Sequence, residues 1–197
     1  MSKEFRIGVL ISGGGTDLQS IIDANLNVVR VISGKADAYG LVRAKKAGIP
    51  CVAITKEMYP DIDERMAKIE ELLVKDNCDL VVLAGYLSIL TGKMLETFKG
   101  RVINIHPALL PKYGGKGCYG LNVHKMVLKA GDKTSGATVH YVDAGIDTGR
   151  IILQREVLVM EDDTPQTLQE RVLAAEHIIL PEAIKKLEEK FVKEGKL

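Results

Sequence analysis

The stretch FRIGVLISGGGTDLQ, residues 5–19, decides the fold class. Its first half, Phe5–Ile11, is mostly apolar and predicts a buried strand. Three glycines follow, and the residues after them predict a helix over Asp17–Ala24. A strand that enters a helix through a glycine turn is the opening unit of an α/β sheet.

The same alternation continues along the first half of the chain. Apolar runs predict further strands at residues 28–32, 51–55, 80–84 and 102–105, and periodic stretches predict helices at 17–24, 38–47 and 61–75. Strands that are apolar on both faces are typical of buried parallel sheets.

The second half of the chain has a different pattern. It predicts a short helix at 123–130, two strands at 138–142 and 151–159 whose spacing favours antiparallel pairing, and a last helix from Thr164. We expect Pro181 to kink or interrupt that helix and the charged tail 188–196 to fray. The chain is therefore predicted to be α/β: a single-domain Rossmann-like open sheet, parallel in its N-terminal half and mixed or antiparallel in its C-terminal half, with helices on both faces.

Composition excludes several classes of function. The 197 residues include 27 Lys+Arg and 26 Asp+Glu, and the net charge of +1 argues against nucleic-acid binding. The longest apolar stretch, residues 80–90, is too short to cross a membrane. No secretory signal is visible from Met1 onward, and three scattered cysteines form no Cys-x-x-Cys pair, so we expect a cytoplasmic protein.

The glycine turn, Ser12–Asp17, is the first candidate binding site. Backbone N–H groups at a helix start, together with the helix dipole, attract an anion such as phosphate. The dinucleotide fingerprint fails because Leu18 stands at its third glycine, and no Gly-Lys pair here is followed by Ser or Thr as a nucleotide P-loop requires. We expect a monophosphate, and a tight turn without a ligand is the alternative.

A second candidate lies at the end of the strand predicted at 102–105. Asn104 and His106 are two residues apart, so in an extended chain their side chains project to the same side. Such a pair offers an amide donor and a titratable imidazole to one reacting carbonyl. The alternative is a histidine that is satisfied by the backbone at the strand end.

Two acidic features complete the set. The run Asp143–Gly149 is either an acidic turn between strands or the source of a carboxylate that reaches His106 and raises its pKa. The pair Glu176-His177 in the last helix is by itself more typical of packing than of function. No His or Cys spacing indicates a metal site.

Together these motifs resemble those of the folate-dependent formyltransferases that act on glycinamide ribonucleotide. The resemblance covers roughly residues 5–187 and is carried by runs at 9–19, 83–87, 104–111 (NIHPALLP), 138–142 and 147–152 and by Glu176-His177. The family fold has a Rossmann-like N-terminal half and a mixed C-terminal half. This resemblance implies a single formyltransferase domain over 1–197, with a phosphate-binding half at 1–100 and a catalytic and folate-binding half at 101–197.

The resemblance also implies roles for matching residues. The catalytic residues would be Asn104, His106 and Asp147. The ribonucleotide would be bound by Gly14, Gly15, Thr16, Asp17 and Glu176. The folate would be bound by Leu87, Ser88, Ile89, Leu90, Asp143, Ala144, Gly145 and Ile146.

The implied reaction is formyl transfer from 10-formyltetrahydrofolate to the amine of glycinamide ribonucleotide. The products would be formylglycinamide ribonucleotide and tetrahydrofolate, as in de novo purine synthesis. The partners would be these small molecules, without a metal, and the protein would be a monomer or a homodimer. The alternatives are a non-catalytic phosphate- or dinucleotide-binding module, a formyl-folate hydrolase, and methionyl-tRNA formyltransferase; the last two normally carry an extra domain for which 197 residues leave no room.

The chain departs from the family pattern at several positions. Gly14 stands where asparagine is common, Ser88 where arginine is common, and Ala108 where serine is frequent. The glycine-rich run 114–120 is a candidate mobile lid. Arg65 is the candidate for an arginine that other members use near folate.

Overall fold

The computed structural model describes residues 4–196. They divide into two compact units: the residues up to Ile103 together with those from Ile184 onward, and Asn104–Ala183. Seven strands form one mixed sheet in the order β3-β2-β1-β4-β5-β6-β7.

The first unit alternates strands and helices. Its elements are β1 (Ile7–Ile11), α1 (Thr16–Asp23), β2 (Val28–Ser33), α2 (Tyr39–Lys46), β3 (Cys51–Ala53), α3 (Ile62–Lys75), β4 (Leu80–Leu83) and α4 (Gly92–Thr97). Strand β5 (Val102–His106) begins in this unit and ends in the second.

Strand β1 is the centre of the parallel part of the sheet. Val9 is opposite Val31 of β2 on one side and Val82 of β4 on the other, and β2 in turn pairs in parallel with β3. Every residue of β1 is buried, which explains why the run is apolar without alternation.

Helix ends in this unit follow local sequence signals. Asp61 caps α3 by accepting hydrogen bonds from the backbone N–H groups of Asp63 (2.9 Å) and Glu64 (3.0 Å). Gly48, with φ of 70°, follows the end of α2, where a left-handed residue closes the last turn.

The second unit contains the end of β5, α5 (Leu121–Ala130), β6 (Thr134–Tyr141), β7 (Ile151–Leu158) and the first part of α6 (Pro165–Lys193). Strands β6 and β7 are antiparallel, with Thr134 opposite Leu158 at one end and His140 opposite Ile151 at the other. The prediction of an α/β fold with a parallel N-terminal half and an antiparallel C-terminal half is confirmed, and the extent of the formyltransferase domain stays a prediction.

The side-chain hydroxyl of Thr138 in β6 hydrogen-bonds to the loop that follows β5. Thr138 Oγ1 donates to the Ala108 carbonyl (2.6 Å) and accepts from the Leu110 N–H (3.1 Å) and from Gln154 Nε2 (2.9 Å). The loop that leaves His106 is therefore held in place by hydrogen bonds.

Two expectations about local structure, at Pro181 and in the charged tail, differ from the structure, and one short helix is not predicted at all. Helix α6 is not interrupted at Pro181, which is buried beside the fully buried Leu180 and Ala183. A proline in a helix interior costs roughly 3 kcal/mol, and burial of several apolar side chains offsets that. The short helix α4 was absent from the predicted elements.

The tail prediction also needs correction, because α6 continues to Lys193. Phe191 is 6 % exposed, and its ring contacts that of Phe5 edge-on with centroids 5.3 Å apart. Aromatic packing thus orders a segment whose charge alone suggested fraying.

None of the helices within residues 4–196 has the length and apolarity needed to cross a membrane. Met1–Lys3, with which the secretory-signal argument begins, lie outside the described residues.

Candidate functional site

The glycine turn of the first unit presents a helix start without a side-chain cap. Gly15 precedes α1 with φ of 70° and ψ of 33°, and within the described residues no side chain hydrogen-bonds to that cap. Only a residue without Cβ adopts this left-handed conformation at no cost. The turn therefore keeps backbone N–H groups at the positive end of the helix dipole, the arrangement that binds anions.

Two residues of helix α2 donate hydrogen bonds to the glycine turn. The Gly40 N–H donates to the Gly13 carbonyl (3.1 Å), and Arg43 Nε donates to the Gly14 carbonyl (2.9 Å). A Cβ on Gly15 would lie 2.6 Å from the Gly40 Cα, so the two glycines allow the backbones to approach closely. Contacts from α2 therefore help to define the shape of the glycine turn.

Asp17 lies in the first turn of α1. Burial raises the pKa of its carboxyl group to about 6, because desolvation disfavours the charged form. Near neutral pH this group therefore titrates at the helix end where we expect a phosphate.

The second unit brings together the side chains predicted to be catalytic. His106 Nδ1 lies 3.6 Å from Asp147 Oδ2, and the two side chains are 5 % and 13 % exposed. Asp147 has φ of 58°, and its Oδ2 accepts a hydrogen bond from the Gly115 N–H (3.0 Å). The carboxylate is thereby held facing the imidazole, just beyond direct hydrogen-bonding distance.

His140 joins this group from β6. Its Nδ1 lies 2.8 Å from the Tyr141 carbonyl, which can only accept, so Nδ1 carries the hydrogen. Burial lowers the pKa of His140, although its bond to the Tyr141 carbonyl and the nearby Asp147 carboxylate act in the opposite direction. The neutral ring therefore offers Nε2 as an acceptor.

That acceptor orients Asn104. Asn104 Nδ2 lies 3.2 Å from His140 Nε2 and donates one of its two hydrogens there. The second amide hydrogen stays available for another acceptor. His140 Nε2 also lies 3.7 Å from Asp147 Oδ1, so the amide, the two imidazoles and the carboxylate form one cluster, called below the Asn104 cluster.

Tyr113 decides which nitrogen of His106 is available. Because a carbonyl can only accept, His106 Nε2 donates to the Tyr113 carbonyl (2.8 Å), which leaves Nδ1 as the ring nitrogen that faces Asp147. Tyr113 itself has φ of 55°, a conformation that a bulky residue adopts only when its surroundings hold it.

The remaining predicted residues lie in each unit as follows. In the first unit, Leu87 and Ile89 are 60 % and 65 % exposed, Leu90 is buried, and the Leu87 N–H donates to Ser12 Oγ (3.1 Å). In the second unit, Ile146 is 45 % exposed and Glu176 is buried.

The acidic turn before Asp147 is closed by its own side chains. Asp143 Oδ1 accepts from the Gly145 N–H (3.0 Å) and from Thr148 Oγ1 (2.6 Å). These bonds lower the pKa of Asp143 and form the turn that carries Asp147. The run is therefore an acidic turn, and it places the Asp147 carboxylate 3.6 Å from His106 Nδ1.

The structure shows the surroundings of Ala108 and Arg65, two of the residues singled out in the sequence. Ala108 is fully buried in an apolar cluster with Cys118 and Val123, where a serine hydroxyl would need a partner. Arg65 is buried and donates to the Tyr59 carbonyl (2.6 Å). Across residues 4–196, no cluster of three His, Cys, Asp or Glu side chains could hold a metal ion.

Sequence reasoning missed three members of the site: His140, the Tyr113 carbonyl and the Gly115 N–H. His140 has only one sequence signal, its position two residues after Thr138 on the same face of a predicted strand. The two backbone groups have no side-chain signal, because nearly every residue type has a backbone carbonyl and N–H.

An uncapped glycine turn and an amide–imidazole–carboxylate cluster are both present on this α/β fold. Residues 5–184 match the formyl transferase family. The chain belongs to that family, and the resemblance inferred from its sequence is confirmed.

Individual relatives agree with this assignment. The phosphoribosylglycinamide formyltransferase of Haemophilus influenzae is 43 % identical over 186 residues, which are 91 % of this chain and 85 % of that protein. A solved glycinamide ribonucleotide transformylase 1 from Symbiobacterium toebii is 45 % identical, with a TM-score of 0.87, and the match covers 93 % of this chain and 87 % of that one.

A third relative is much longer. The trifunctional purine biosynthetic protein adenosine-3 of Chironomus tentans is 42 % identical over 188 residues, which are 91 % of this chain. The chain spans only 13 % of that protein's length.

Proposed function

We propose that this chain transfers the formyl group of 10-formyltetrahydrofolate to the amine of glycinamide ribonucleotide. The products are formylglycinamide ribonucleotide and tetrahydrofolate. Family membership and the names of relatives that align along most of the chain support this reaction over a binding module or a hydrolase.

The observation that carries the proposal is the Asn104 cluster. An amide, an imidazole and a carboxylate lie within 3.2–3.7 Å of one another or of a shared partner, His140. A module that only binds phosphate has no use for a partly buried carboxylate facing an imidazole. Formyl transfer needs both, because it forms an oxyanion and moves a proton.

Asn104 stabilises the oxyanion in this mechanism. As the amine attacks the formyl carbon, its oxygen becomes negative and accepts the Asn104 hydrogen that His140 leaves available. Removal of one such donor typically lowers the rate by ~10²–10³. The prior orientation of the amide by His140 means that little reorganisation is required during the reaction.

His106 and Asp147 move the proton. The new C–N bond forms at the substrate amine and the C–N bond to the folate nitrogen breaks, so one proton must pass from the amine to the folate nitrogen. Asp147 accepts the amine proton through a bridging water, and His106 delivers a proton from Nδ1, since its Nε2 is engaged by the Tyr113 carbonyl. Proton transfer by a positioned group typically contributes ~10²–10⁴ in rate.

The substrate contacts follow the resemblance. The phosphate of the ribonucleotide would be bound by backbone N–H groups at Gly14–Asp17, and Glu176 would accept from its ribose. The apolar side chains of Leu87 and Ile89, exposed in the first unit, would contact the pterin, as would the turn that contains Ile146.

The folate enters as a co-substrate, and the chemistry requires no metal. We expect free small molecules as the only substrates, a cytoplasmic location, and a monomer or homodimer acting as one formyltransferase domain.

The test is release of tetrahydrofolate, followed by absorbance, from 10-formyltetrahydrofolate with and without glycinamide ribonucleotide. We expect release only when the ribonucleotide is present, together with formylation of its amine. Release without the acceptor would identify a hydrolase. Retention of the formyl donor in both cases, with the ribonucleotide still bound, would favour the non-catalytic binding module.

A further inference from the structure

Tyr113, in the loop that follows β5, has a backbone conformation that a bulky residue rarely adopts. Its φ is 55°, in the left-handed region where the Cβ of an ordinary residue crowds the backbone. The carbonyl of this residue accepts the hydrogen bond from His106 Nε2 (2.8 Å). The contacts that hold the Tyr113 backbone in this conformation therefore also hold its carbonyl against the imidazole.

The side chain of Tyr113 is held at both ends. Its ring packs, partly buried, against the apolar cluster of Ala108, Cys118 and Val123. Its hydroxyl donates to Asp132 Oδ2 (2.7 Å). The ring contact has little directionality, whereas the hydrogen bond has a preferred distance and angle. The Asp132 carboxylate therefore fixes where the end of the Tyr113 side chain lies.

Asp132 is itself held in place between α5 and β6. Gly131 ends α5 in the left-handed conformation, with φ of 70°, and β6 begins two residues after Asp132 at Thr134. The carboxylate also accepts from Lys112 Nζ (3.1 Å at Oδ1 and 2.9 Å at Oδ2). The Lys112 side chain is 69 % exposed, and ion pairs of exposed side chains contribute little. We therefore expect the bond from the Tyr113 hydroxyl to be the contact of Asp132 that most affects the loop.

The protonation states of the two groups favour this bond. Hydrogen bonds from Lys112 and from the Tyr113 hydroxyl lower the pKa of the Asp132 carboxyl group. Desolvation and the bond to Asp132 raise the pKa of the Tyr113 hydroxyl to about 12. Near neutral pH the pair is thus a neutral hydroxyl that donates to a carboxylate, and hydrogen bonds to charged acceptors are stronger than those between neutral groups.

We propose that Asp132 and the Tyr113 hydroxyl are positioning residues for His106. The link runs from the Asp132 carboxylate to the Tyr113 hydroxyl, through the Tyr113 backbone to its carbonyl, and from there to His106 Nε2. It keeps the hydrogen of the neutral imidazole on Nε2, so that Nδ1 faces Asp147 without one. The effect on formyl transfer rests on the proposed function, whereas the effect on the tautomer of His106 does not.

The test is nuclear magnetic resonance of the His106 ring nitrogens in the whole chain, without substrate, together with steady-state kinetics. Tyr113→Phe removes only the hydroxyl, and Asp132→Ala removes its acceptor. In the unaltered chain we expect the neutral ring to carry its hydrogen on Nε2. In both variants the Tyr113 backbone should relax, the form with hydrogen on Nδ1 should become populated, and kcat should fall about tenfold with both KM values unchanged.

Two further variants separate positioning from general damage to the loop. Lys112→Ala removes the other partner of Asp132 and is the matched control, because it leaves the bond between the Tyr113 hydroxyl and the carboxylate in place. Neither the His106 tautomer nor kcat should change in it. Asp132→Asn keeps an oxygen that accepts from the hydroxyl and should recover most of the loss seen in Asp132→Ala. Urea unfolding of each variant verifies that the measurements are made on folded protein.

Three results would overturn the proposal. They are an unaltered His106 tautomer in folded Tyr113→Phe or Asp132→Ala, an equal change of tautomer in Lys112→Ala, and a raised KM with normal kcat in the first two variants. Because the tautomer is measured without substrate, it also separates this proposal from the proposed function. A shifted tautomer in a chain that transfers no formyl group would support the positioning role and contradict only the proposed reaction.

Discussion

The glycine turn of the first unit and the Asn104 cluster of the second are built in opposite ways. The turn consists of consecutive residues and offers backbone N–H groups, which Gly15 and Gly40 position by lacking side chains. The cluster draws side chains from β5, β6 and the turn before β7. A backbone site should therefore fail when atoms are added to it, and a side-chain site should fail when atoms are removed.

The largest expected effect is in the cluster. His106→Ala removes the group that we propose returns a proton through Nδ1, so turnover should fall by ~10³. Asp147→Asn keeps the shape but removes the acceptor of the amine proton, so a similar loss is expected. Steady-state kinetics measures turnover, and titration calorimetry measures ribonucleotide affinity separately.

Ribonucleotide affinity should be nearly unchanged in both variants. Asp162→Asn, at an exposed position, is the matched control for the loss of a carboxylate and should behave like the unaltered chain. If both active-site variants lost ribonucleotide binding as much as turnover, the roles assigned to His106 and Asp147 would be wrong.

The turn should respond to added atoms. Gly15→Ala places a Cβ 2.6 Å from the Gly40 Cα at a residue with φ of 70°. Backbone strain of this kind costs ~1–3 kcal/mol, so we expect a lower free energy of unfolding and about tenfold weaker ribonucleotide binding. Urea unfolding and calorimetry measure both quantities.

Gly14→Ala is the control for that variant. A Cβ on Gly14 meets nothing within 4 Å, and Gly14 is not among the residues with positive φ. Nearly unaltered stability and affinity are expected. Equal damage from the two substitutions would show that the Gly15–Gly40 approach does not define the turn.

Acid should destabilise the second unit through His124. Burial lowers the pKa of this histidine to about 4, and among the described residues its Nδ1 has no hydrogen-bond partner. His124 therefore takes up a proton near pH 6.5 in the unfolded chain but only near pH 4 in the folded chain. Stability should fall by about 2 kcal/mol between pH 7.5 and pH 5.

The free energy of urea unfolding, measured across this range, checks the expectation. His124→Gln should reduce the slope of stability against pH.

The raised pKa of Asp17 acts in the opposite direction, because the folded state of the first unit holds that proton more tightly, and its contribution is lost as pH rises through about 6. Asp17→Asn should therefore raise stability at pH 8 more than at pH 5. An unchanged slope in His124→Gln would mean that the ring is accessible to solvent when folded.

The smallest effect is expected from orientation alone. His140→Phe keeps a ring in β6 but removes the acceptor that aligns Asn104, and kcat should fall about tenfold, equivalent to roughly 1.4 kcal/mol. His140→Gln, which retains an acceptor, should recover much of the loss. A change in the ribonucleotide KM with normal kcat would contradict a role in aligning the amide.

Sequence prediction succeeds where neighbouring residues determine a feature and fails where contacts between distant residues determine it. The glycine turn, the Asp61 cap and the end of α2 at Gly48 are determined by neighbouring residues, and each was predictable because backbone geometry is a local property. Pro181 and the charged tail were misjudged because buried contacts, such as that between Phe191 and Phe5, outweigh local preference. The six-residue helix α4 is too short to produce a periodic signal.

The sequence by itself determined the βα alternation, the glycine turn that opens α1 and the positions of Asn104 and His106 two residues apart on β5. The family resemblance added Asp147. Only the tertiary structure decided that His140 contacts Asn104, that the Tyr113 carbonyl binds His106 Nε2, and that the Gly115 N–H donates to Asp147. The Asn104–His140 and Gly115–Asp147 contacts join residues more than 30 positions apart, and the contacts of Tyr113 and Gly115 use backbone atoms that nearly all residue types carry, so the sequence contains no signal for them.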